Sequence, residues 1–277
     1  MVPDVQNRRD RRQIPINKVG VKNIRYPIIV LDRANKEQHT VARINMFVNL
    51  PHRFKGAHMS RFIEVLNRHY GRISINNFLD ILEELKTTLK AQAAHVEMEF
   101  PYFIQKKAPV SGEKSLMEYR CRLLGESEEP ILRSSRTATA KDESGRTDRG
   151  KKKLLVGISV PVTTLCPCSK EMSTRGAHNQ RGEVTVTLAF KKFFWIEDVV
   201  ELIEQSASAP VYALLKREDE KALTEMAYDH PRFVEDVVRE VSKRLKRNEN
   251  FPWFTVEAEN FESIHNHSAY ASVEYKA

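Results

Sequence analysis

The chain has 277 residues, of which 41% are hydrophobic and 30% are charged, so it can build a core and is not a disordered polymer. It has no apolar run of about 18 residues, and its first residues lack the apolar core of a signal peptide, so we expect a cytoplasmic protein without a membrane-spanning helix. Its three cysteines are too few for a disulfide framework. The formal net charge of +8 favours an anionic partner, which includes phosphorylated metabolites, nucleic acids and membrane surfaces.

The uneven distribution of charge suggests how the chain is divided. We expect residues 1–16 to form a disordered basic arm. Residues 132–152 are rich in basic side chains and almost without apolar ones, which predicts a linker or long loop near the midpoint. Two modules remain, at residues 17–131 and 153–277. The basic linker contains no aromatic residue, which argues against nucleic-acid binding there.

The first module has the pattern of two strands, two helices and two further strands. Residues 20–33 and 37–50 are β-rich and are joined by turn-forming residues, which predicts a hairpin. Residues 59–69 have apolar side chains at helical spacing, and Asn76 is placed to cap a second helix. The last two strands are predicted around residues 94–105 and 116–124.

The second module repeats this order. Its helices are predicted at residues 196–205, 210–228 and 231–245, and its strands at 153–164, 183–190, 253–258 and 268–275. In the last helix we place Pro231 in the first turn and Phe233 in the buried apolar stripe. Each module is therefore expected to be an antiparallel sheet with helices packed on one face, which is an α+β fold.

Residues 161–182 contain the side chains best suited to chemistry. Cys166 and Cys168 follow a predicted strand, and His178 comes twelve residues after Cys166. Nearby Lys and Arg residues favour the thiolate, the form of cysteine that binds metals and attacks electrophiles. The spacing fits no zinc finger, and the alternative is that both cysteines are small buried hydrophobic residues. The polar, basic surroundings argue against that alternative, more strongly for Cys166 than for Cys168.

A second candidate site lies between the last two predicted strands. Residues 259–267 hold two carboxylates and two imidazoles, a set that suits a metal or an acid–base site, although a solvated polar loop is the alternative. A connection at the same sheet end as Cys166 would bring these groups together. A weaker candidate is the basic turn at residues 51–61, which suits either a phosphate cradle or a helix start with solvated charges.

Three motifs together closely resemble those of the type IB GTP cyclohydrolases of prokaryotes. They are LCPCSKE at residues 165–171, GAHNQRG at 176–182 and ESIHNH at 262–267. The resemblance runs from about residue 17 to residue 275 and implies two tandem tunnelling-fold modules of ββααββ order. It also implies a homotetramer with active sites at subunit interfaces. The implied reaction is hydrolysis of GTP at C8 of guanine to formate and 7,8-dihydroneopterin triphosphate, the first step of folate and tetrahydrofolate biosynthesis.

The resemblance also implies roles for individual residues. Four positions match the family's metal ligands: Cys166, His178, Glu220 and His265. Glu225 stays open as an alternative to Glu220. Three positions match its catalytic groups: Cys166, Glu262 and His178. Glu235 is the candidate for the glutamate that holds the N–H edge of the purine, and the implied metal is Mn²⁺ or Fe²⁺, with Zn²⁺ as a third candidate.

The chemistry of these residue types agrees with the implied reaction. Opening a purine at C8 needs a nucleophilic water near neutral pH, which a bound metal provides. A carboxylate accepts two hydrogen bonds from guanine N1–H and the 2-amino group, whereas adenine offers no such pair.

Two other functions compete with this interpretation. A related tunnelling-fold nitrile reductase uses a cysteine nucleophile with NADPH, and Cys166 would suit that role. Chelation would stop the cyclohydrolase but spare the reductase. The other alternative, a basic RNA-binding protein without catalysis, needs aromatic platforms on a basic face, and the sequence shows no such pattern. We therefore expect GTP as the partner, and neither a membrane nor a nucleic acid.

Overall fold

The computed structural model describes residues 6, 8–70, 73–75, 77–128 and 152–277. Asn76 and almost all of the predicted linker lie outside the described residues. Within the described ranges, no helix is long and apolar enough to cross a membrane. Part of the predicted arm is described, and its backbone is hydrogen-bonded to the turn before the first helix. The N–H groups of Lys55 and Gly56 donate to the carbonyls of Arg8 and Gln6, at 2.9 and 3.1 Å.

The first part of the chain has the predicted order of two strands, two helices and two strands. Its elements are β1 (Ile16–Asp32), β2 (Lys36–Leu50), α1 (Met59–Arg68), α2 (Phe78–Leu89), β3 (Ala93–Lys107) and β4 (Lys114–Glu128). The N-cap of α2 is Asn77, whose side chain accepts a hydrogen bond from the N–H of Ser74 at 2.7 Å rather than from the helix.

The second part contains the predicted elements and two short additional ones. Its elements are β5 (Lys152–Leu165), α3 (Pro167–Met172), β6 (Asn179–Ala189), α4 (Ile196–Glu204), β7 (Ala209–Pro210), α5 (Arg217–Asp229), α6 (Val234–Lys246), β8 (Trp253–Asn260) and β9 (Ala269–Lys276). Helix α3 and strand β7 were not predicted from the sequence.

The prediction of a helix over residues 210–228 was wrong at its start. Ala209 and Pro210 pair with Thr163 and Val162 of β5, and α5 begins only at Arg217. Strand pairing holds this backbone extended, so the helix cannot include it.

The prediction for the start of the last helix was also wrong. Phe233 is the N-cap of α6, so Pro231 precedes the helix rather than lying in its first turn. The Asp236 side chain accepts from the N–H of Phe233 at 3.1 Å, which fixes the helix start at this position. Phe233 is 40% exposed and is not part of the buried stripe, which consists of the valines and the leucine that follow it.

The strands form a nine-stranded sheet in the order β1-β2-β3-β4-β5-β6-β8-β9, with β7 paired to β5. The pairs β5–β6, β6–β8 and β8–β9 are antiparallel. The chain divides into two compact units. The first contains the described residues of 1–31, 39–98 and 123–154, and the second contains residues 32–38, 99–122 and 155–277. The module boundaries at residues 17–131 and 153–277 stay predictions.

The first unit has a core between its two helices and its strands. Helix α1 buries Phe62 and Leu66, and α2 buries Phe78 and Leu82. The alternating residues of β2 and β3 supply the facing side of this core, because side chains of a strand point to opposite faces in turn. Gly125 of β4 permits close packing, since a Cβ there would lie 2.6 Å from Cε1 of Phe78.

The second unit has a core of the same kind. The buried side chains of β5, β6 and β8 alternate along each strand, and α4 and α6 bury their apolar stripes. Helix α6 packs against β8 and β9. This unit contains both chemical segments that the sequence analysis identified.

Candidate functional site

Cys166 and His178 lie opposite one another where β5 ends and β6 begins. The strand register ends with Leu165 paired to Asn179, and the N–H of Cys166 then donates to the carbonyl of His178 at 3.1 Å. The antiparallel pairing therefore continues one residue beyond the strand. Directly opposite residues have Cβ atoms about 4.5–5.5 Å apart and share a face of the sheet.

Glu262 reaches the same face from β8. The register between β6 and β8 ends with Gly182 paired to Asn260, and the N–H of Phe261 donates to the carbonyl of Arg181 at 2.9 Å. Continuing this register by one residue places Glu262 opposite Gln180. Because Gln180 follows His178 by two residues in an extended strand, both point to the same face.

The short helix α3 holds the loop between the two strands. Cys166 is its N-cap, and Sγ accepts from the N–H of Ser169 at 3.5 Å. The Ser169 hydroxyl donates to the Cys166 carbonyl and accepts from the N–H of His178, at 3.1 Å in each case. Ser169 therefore ties the thiol-bearing residue to the imidazole-bearing one.

The three cysteines have different surroundings. Cys166 is half-buried, Cys168 is exposed and Cys121 lies in the core. Burial, with the nearby carboxylate of Glu197, raises the pKa of the Cys121 thiol, which keeps that thiol protonated and unreactive. This difference supports the choice of Cys166, which lies next to the other candidate groups.

The His178 ring is held by two side chains. Its Nδ1 lies 3.1 Å from Oε1 of Gln180 and 3.2 Å from Oγ of Ser263. The Nε2 group of Gln180 donates to Oε1 of Glu262 at 3.4 Å. The ESIHNH motif therefore meets the GAHNQRG motif through Gln180 and Ser263, as the predicted sheet-end connection requires.

His265 lies apart from this group. It is exposed and stacks on His267, with ring centroids 5.2 Å apart and an interplanar angle of 22°. Among the described contacts, none joins His265 to Cys166 or His178.

Glu220 and Glu225 occupy different environments on α5. Glu220 lines a cavity of about 360 Å³ together with Gln180, Arg181 and Tyr212. Glu225 has a side chain that is 64% exposed and faces Lys221 at 3.8 Å, as a surface pair on the same helix. This placement favours Glu220 over Glu225 as the acidic group of the site.

The start of α5 is fixed by Asp219, a fully buried residue next to Glu220. Its carboxylate accepts from the N–H groups of Val110 and Ser111, both at 2.8 Å, from the Ser111 hydroxyl at 2.6 Å and from the N–H of Lys216 at 2.9 Å. Burial opposes ionisation, but these hydrogen bonds outweigh it and lower the pKa of Asp219. No role for Asp219 was predicted from the sequence.

Glu235 is exposed in the first turn of α6. The neighbouring Asp236 caps the helix, and Glu240 pairs with Arg244 at 2.9 Å. Glu235 is not among the groups that the described contacts gather around Cys166. Its side chain is therefore open to solvent.

The candidate donors meet only part of what a metal ion needs. Within the described ranges, no three His, Cys, Asp or Glu side chains lie close enough to hold an ion. Cys166 and His178 are adjacent, and a thiolate with an imidazole fits a borderline divalent metal. The described part of the chain therefore presents a fitting pair of donors rather than a complete ligand set.

Solved structures with low sequence identity share the fold. Uricase from Arthrobacter globiformis aligns with a TM-score of 0.53 at 8% identity, covering 94% of this chain and 93% of that one. Urate oxidase from Bacillus sp. TB-90 aligns with a TM-score of 0.55 at 8% identity, covering 95% and 100%. These similarities confirm the predicted α+β tunnelling fold.

Sequence comparison identifies the family. The family model described as Type I GTP cyclohydrolase folE2 matches residues 2–271. The GTP cyclohydrolase FolE2 of Syntrophotalea carbinolica is 56% identical over 272 residues, covering 98% of this chain and 94% of the relative. That of Syntrophus aciditrophicus is 58% identical over 271 residues, covering 98% of each. The resemblance read from the three motifs is thereby confirmed, and the chain belongs to the type I GTP cyclohydrolase FolE2 family.

Proposed function

We propose that the protein hydrolyses GTP at C8 of guanine, releasing formate and forming 7,8-dihydroneopterin triphosphate, and that it does so in the cytoplasm as the first step of folate biosynthesis. The observation that carries the proposal is the placement of Cys166, His178 and Glu262 on one face at the sheet end, in a chain of the FolE2 family.

The metal ligands of this proposal come from three segments. Cys166 and His178 supply a thiolate and an imidazole from the paired strand ends, and Glu220 and His265 supply a carboxylate and a second imidazole. This mixed set suits Mn²⁺ or Fe²⁺, with Zn²⁺ as a third candidate, because the oxygen ligand shifts the preference away from metals that favour all-sulfur sites. When bound, the metal lowers the pKa of water and polarises the group that reacts.

Each residue at the sheet end has a separate task. Ser169 holds the backbones of Cys166 and His178 together, so the thiol and the imidazole keep their relative positions. Glu262 uses Oε1 to accept from Gln180, and its second carboxylate oxygen is available to take a proton from the attacking water.

Recognition of the base is assigned to Glu235. A carboxylate matches the parallel N1–H and 2-amino donors of guanine, and such charge-assisted pairs are stronger than neutral ones. Glu235 is exposed on one protomer, where water competes for these hydrogen bonds. We place the active site between subunits of a homotetramer, where a neighbouring subunit shields Glu235 and the ligand set is completed.

The proposal is tested by anaerobic incubation of metal-reconstituted protein with GTP, with ATP as the matched control. We expect GTP to give a compound that becomes a fluorescent pterin on oxidation, and ATP to remain intact. Conversion of GTP to GDP and phosphate, or no reaction after confirmed metal loading, would contradict the proposal. Reduction of a nitrile substrate with NADPH in the presence of a chelator would indicate the related reductase instead.

A further inference from the structure

Gln180 connects two residues of the proposed site through a buried amide. The residue is only 8% exposed, and it lies on β6 between β5 and β8. Oε1 is 3.1 Å from Nδ1 of His178, and Nε2 is 3.4 Å from Oε1 of Glu262. The low exposure and the hydrogen bonds to His178 and Glu262 restrict rotation of this amide.

The positions of the protons follow from the partners. An ionised carboxylate only accepts hydrogen bonds, so the NH₂ end of Gln180 must face Glu262. The carbonyl end then faces His178, and an amide oxygen also only accepts. Nδ1 of His178 must therefore carry the proton, and the Ser263 hydroxyl, at 3.2 Å, is a second acceptor for it.

The reversed arrangement is electrostatically unfavourable. Turning the amide would place its oxygen against the carboxylate of Glu262, with two acceptors facing each other. It would also require Nδ1 of His178 to accept, which leaves the ring proton on Nε2. The Glu262 carboxylate thus selects the orientation of Gln180, and Gln180 in turn selects the tautomer of His178.

We propose that Gln180 is a positioning residue that fixes His178 as its Nδ1–H tautomer and keeps the lone pair on Nε2 for metal binding. Neutral imidazole binds a metal through whichever nitrogen lacks the proton, and a hydrogen bond at the other nitrogen orients the ring. This inference rests on the proposed function in one respect: His178 must be a ligand. Gln180 itself acts through His178 and Glu262 and does not touch the metal.

The first test measures the tautomer in metal-free, full-length protein by ¹⁵N NMR of labelled histidine. The resonances of His178 are assigned by their loss in His178→Ala. We expect wild type to carry the proton on Nδ1, and Gln180→Met, which keeps the side-chain length but has no amide, to show a mixture of tautomers. A proton on Nε2 in wild type, or an unchanged tautomer in Gln180→Met, would overturn the proposal.

The second test measures metal affinity by competition with a chromophoric chelator, independently of catalysis. Gln180→Met should bind Mn²⁺ about 10- to 100-fold more weakly, the range typical for loss of such an outer hydrogen bond. Ser263→Ala is the matched control and should change affinity much less, because Gln180 still accepts from Nδ1. Unchanged affinity in Gln180→Met, with His178→Ala weakened, would contradict the role of Gln180.

A paired exchange keeps the test valid if Gln180→Met fails to fold. Gln180→Glu alone sets two carboxylates against each other, whereas combining it with Glu262→Gln restores a donor facing an acceptor. The carboxylate introduced at position 180 still accepts from Nδ1–H of His178, so we expect the double variant to keep the proton on Nδ1 in the ¹⁵N spectrum. A proton on Nε2 in the double variant would overturn the proposal. Full metal affinity in His178→Ala would instead remove His178 from the ligands, which is a failure of the proposed function.

Discussion

The two thiols of the LCPCSKE motif differ in position, and the difference is testable. Cys166 is half-buried and tied to His178, while Cys168 is exposed on α3. We expect Cys166→Ala to abolish formate release from GTP and Cys168→Ala to retain most of it, because only the first removes a proposed ligand. Formate assays on metal-loaded variants with unchanged circular dichroism measure this. An active Cys166→Ala beside an inactive Cys168→Ala would mean that the wrong thiol is assigned.

The proposed recognition of guanine by Glu235 can be tested by changing one oxygen of its carboxylate. Glu235→Gln keeps the shape of the side chain but turns one acceptor into a donor that faces a guanine donor. We expect kcat/KM for GTP to fall by an amount equivalent to about 2–4 kcal/mol, because a polar group is left unpaired when the base binds. Steady-state kinetics at matched metal loading measure the effect. Unchanged kcat/KM would leave Glu235 as an ordinary surface acid of the first helical turn.

Part of the site was predictable from residue types and part was not. Cys166 and His178 were candidates because a thiol and an imidazole follow a predicted strand in a polar, basic segment. Glu262 lies in a segment with two imidazoles and a second carboxylate, and the individual roles of His178 and Glu262 came from the family resemblance. Gln180 and Asp219 were missed, because an amide and a helix-start acid have ordinary structural roles. Only the strand register places Gln180 opposite Glu262, and only the fold brings Val110 and Ser111 to Asp219.

At the scale of elements, the packing of α2 on β4 depends on Gly125. A Cβ at this position would lie 2.6 Å from Cε1 of Phe78 and 2.8 Å from Cδ1 of Leu82, so the helix would have to shift. We expect Gly125→Ala to destabilise the protein by about 1–3 kcal/mol, as overpacking of a core usually does. Urea denaturation measures this loss.

Gly157→Ala is the control for this substitution. Gly157 also lies in a strand, but a Cβ there would be 3.4 Å from its nearest neighbour, Cβ of Arg122, which is an ordinary contact. We expect the free energy of unfolding of Gly157→Ala to differ little from that of wild type. Equal stability losses in the two variants would show that tight packing at Gly125 is not the cause.

The ion pairs of Glu83 on α2 predict a dependence of stability on pH. Burial raises its pKa, but hydrogen bonds from Ser127, Lys152 and Lys86 outweigh burial and lower the pKa of Glu83 from 4.5 to about 2. A carboxylate whose pKa is lower in the folded state than in the unfolded state stabilises the fold at pH values above its unfolded-state pKa. This stabilisation is lost as the pH falls through the folded-state pKa.

The corresponding measurement compares wild type with Glu83→Gln from neutral pH to about pH 2. The wild-type advantage should shrink between about pH 4.5 and pH 2, the window set by the two pKa values. Because the Glu83 side chain is 39% exposed, the advantage at neutral pH should stay below about 1 kcal/mol. A difference that does not vary with pH across this window would contradict the assigned ion pairs.

Local patterns predicted most elements, and contacts distant in sequence explain the errors. Alternation and helical spacing located both sets of strands and helices. The helix predicted from residue 210 failed because Ala209 and Pro210 pair with β5, about fifty residues earlier. Phe233 fits the helical spacing of the apolar residues that follow it. However, its N–H donates to the Asp236 carboxylate, which makes Phe233 the N-cap, so α6 begins at Val234.

At the scale of the whole molecule, the incomplete ligand set is the feature that connects fold and function. The described part of one chain gathers Cys166 and His178 but no third metal donor. Glu235 is exposed, although its proposed task requires shielding from water. Both features are consistent with the proposed homotetramer, in which each site lies between subunits.

The proposed metal-dependent hydrolysis is tested by measuring formate release from GTP by the purified protein before chelation, after chelation and after re-addition of Mn²⁺ or Fe²⁺. We expect one formate for each GTP consumed, loss of formate release when elemental analysis confirms that the metal is gone, and recovery when the metal is restored. Formate release at an undiminished rate from metal-free protein, or consumption of GTP without formate by the reloaded protein, would contradict it.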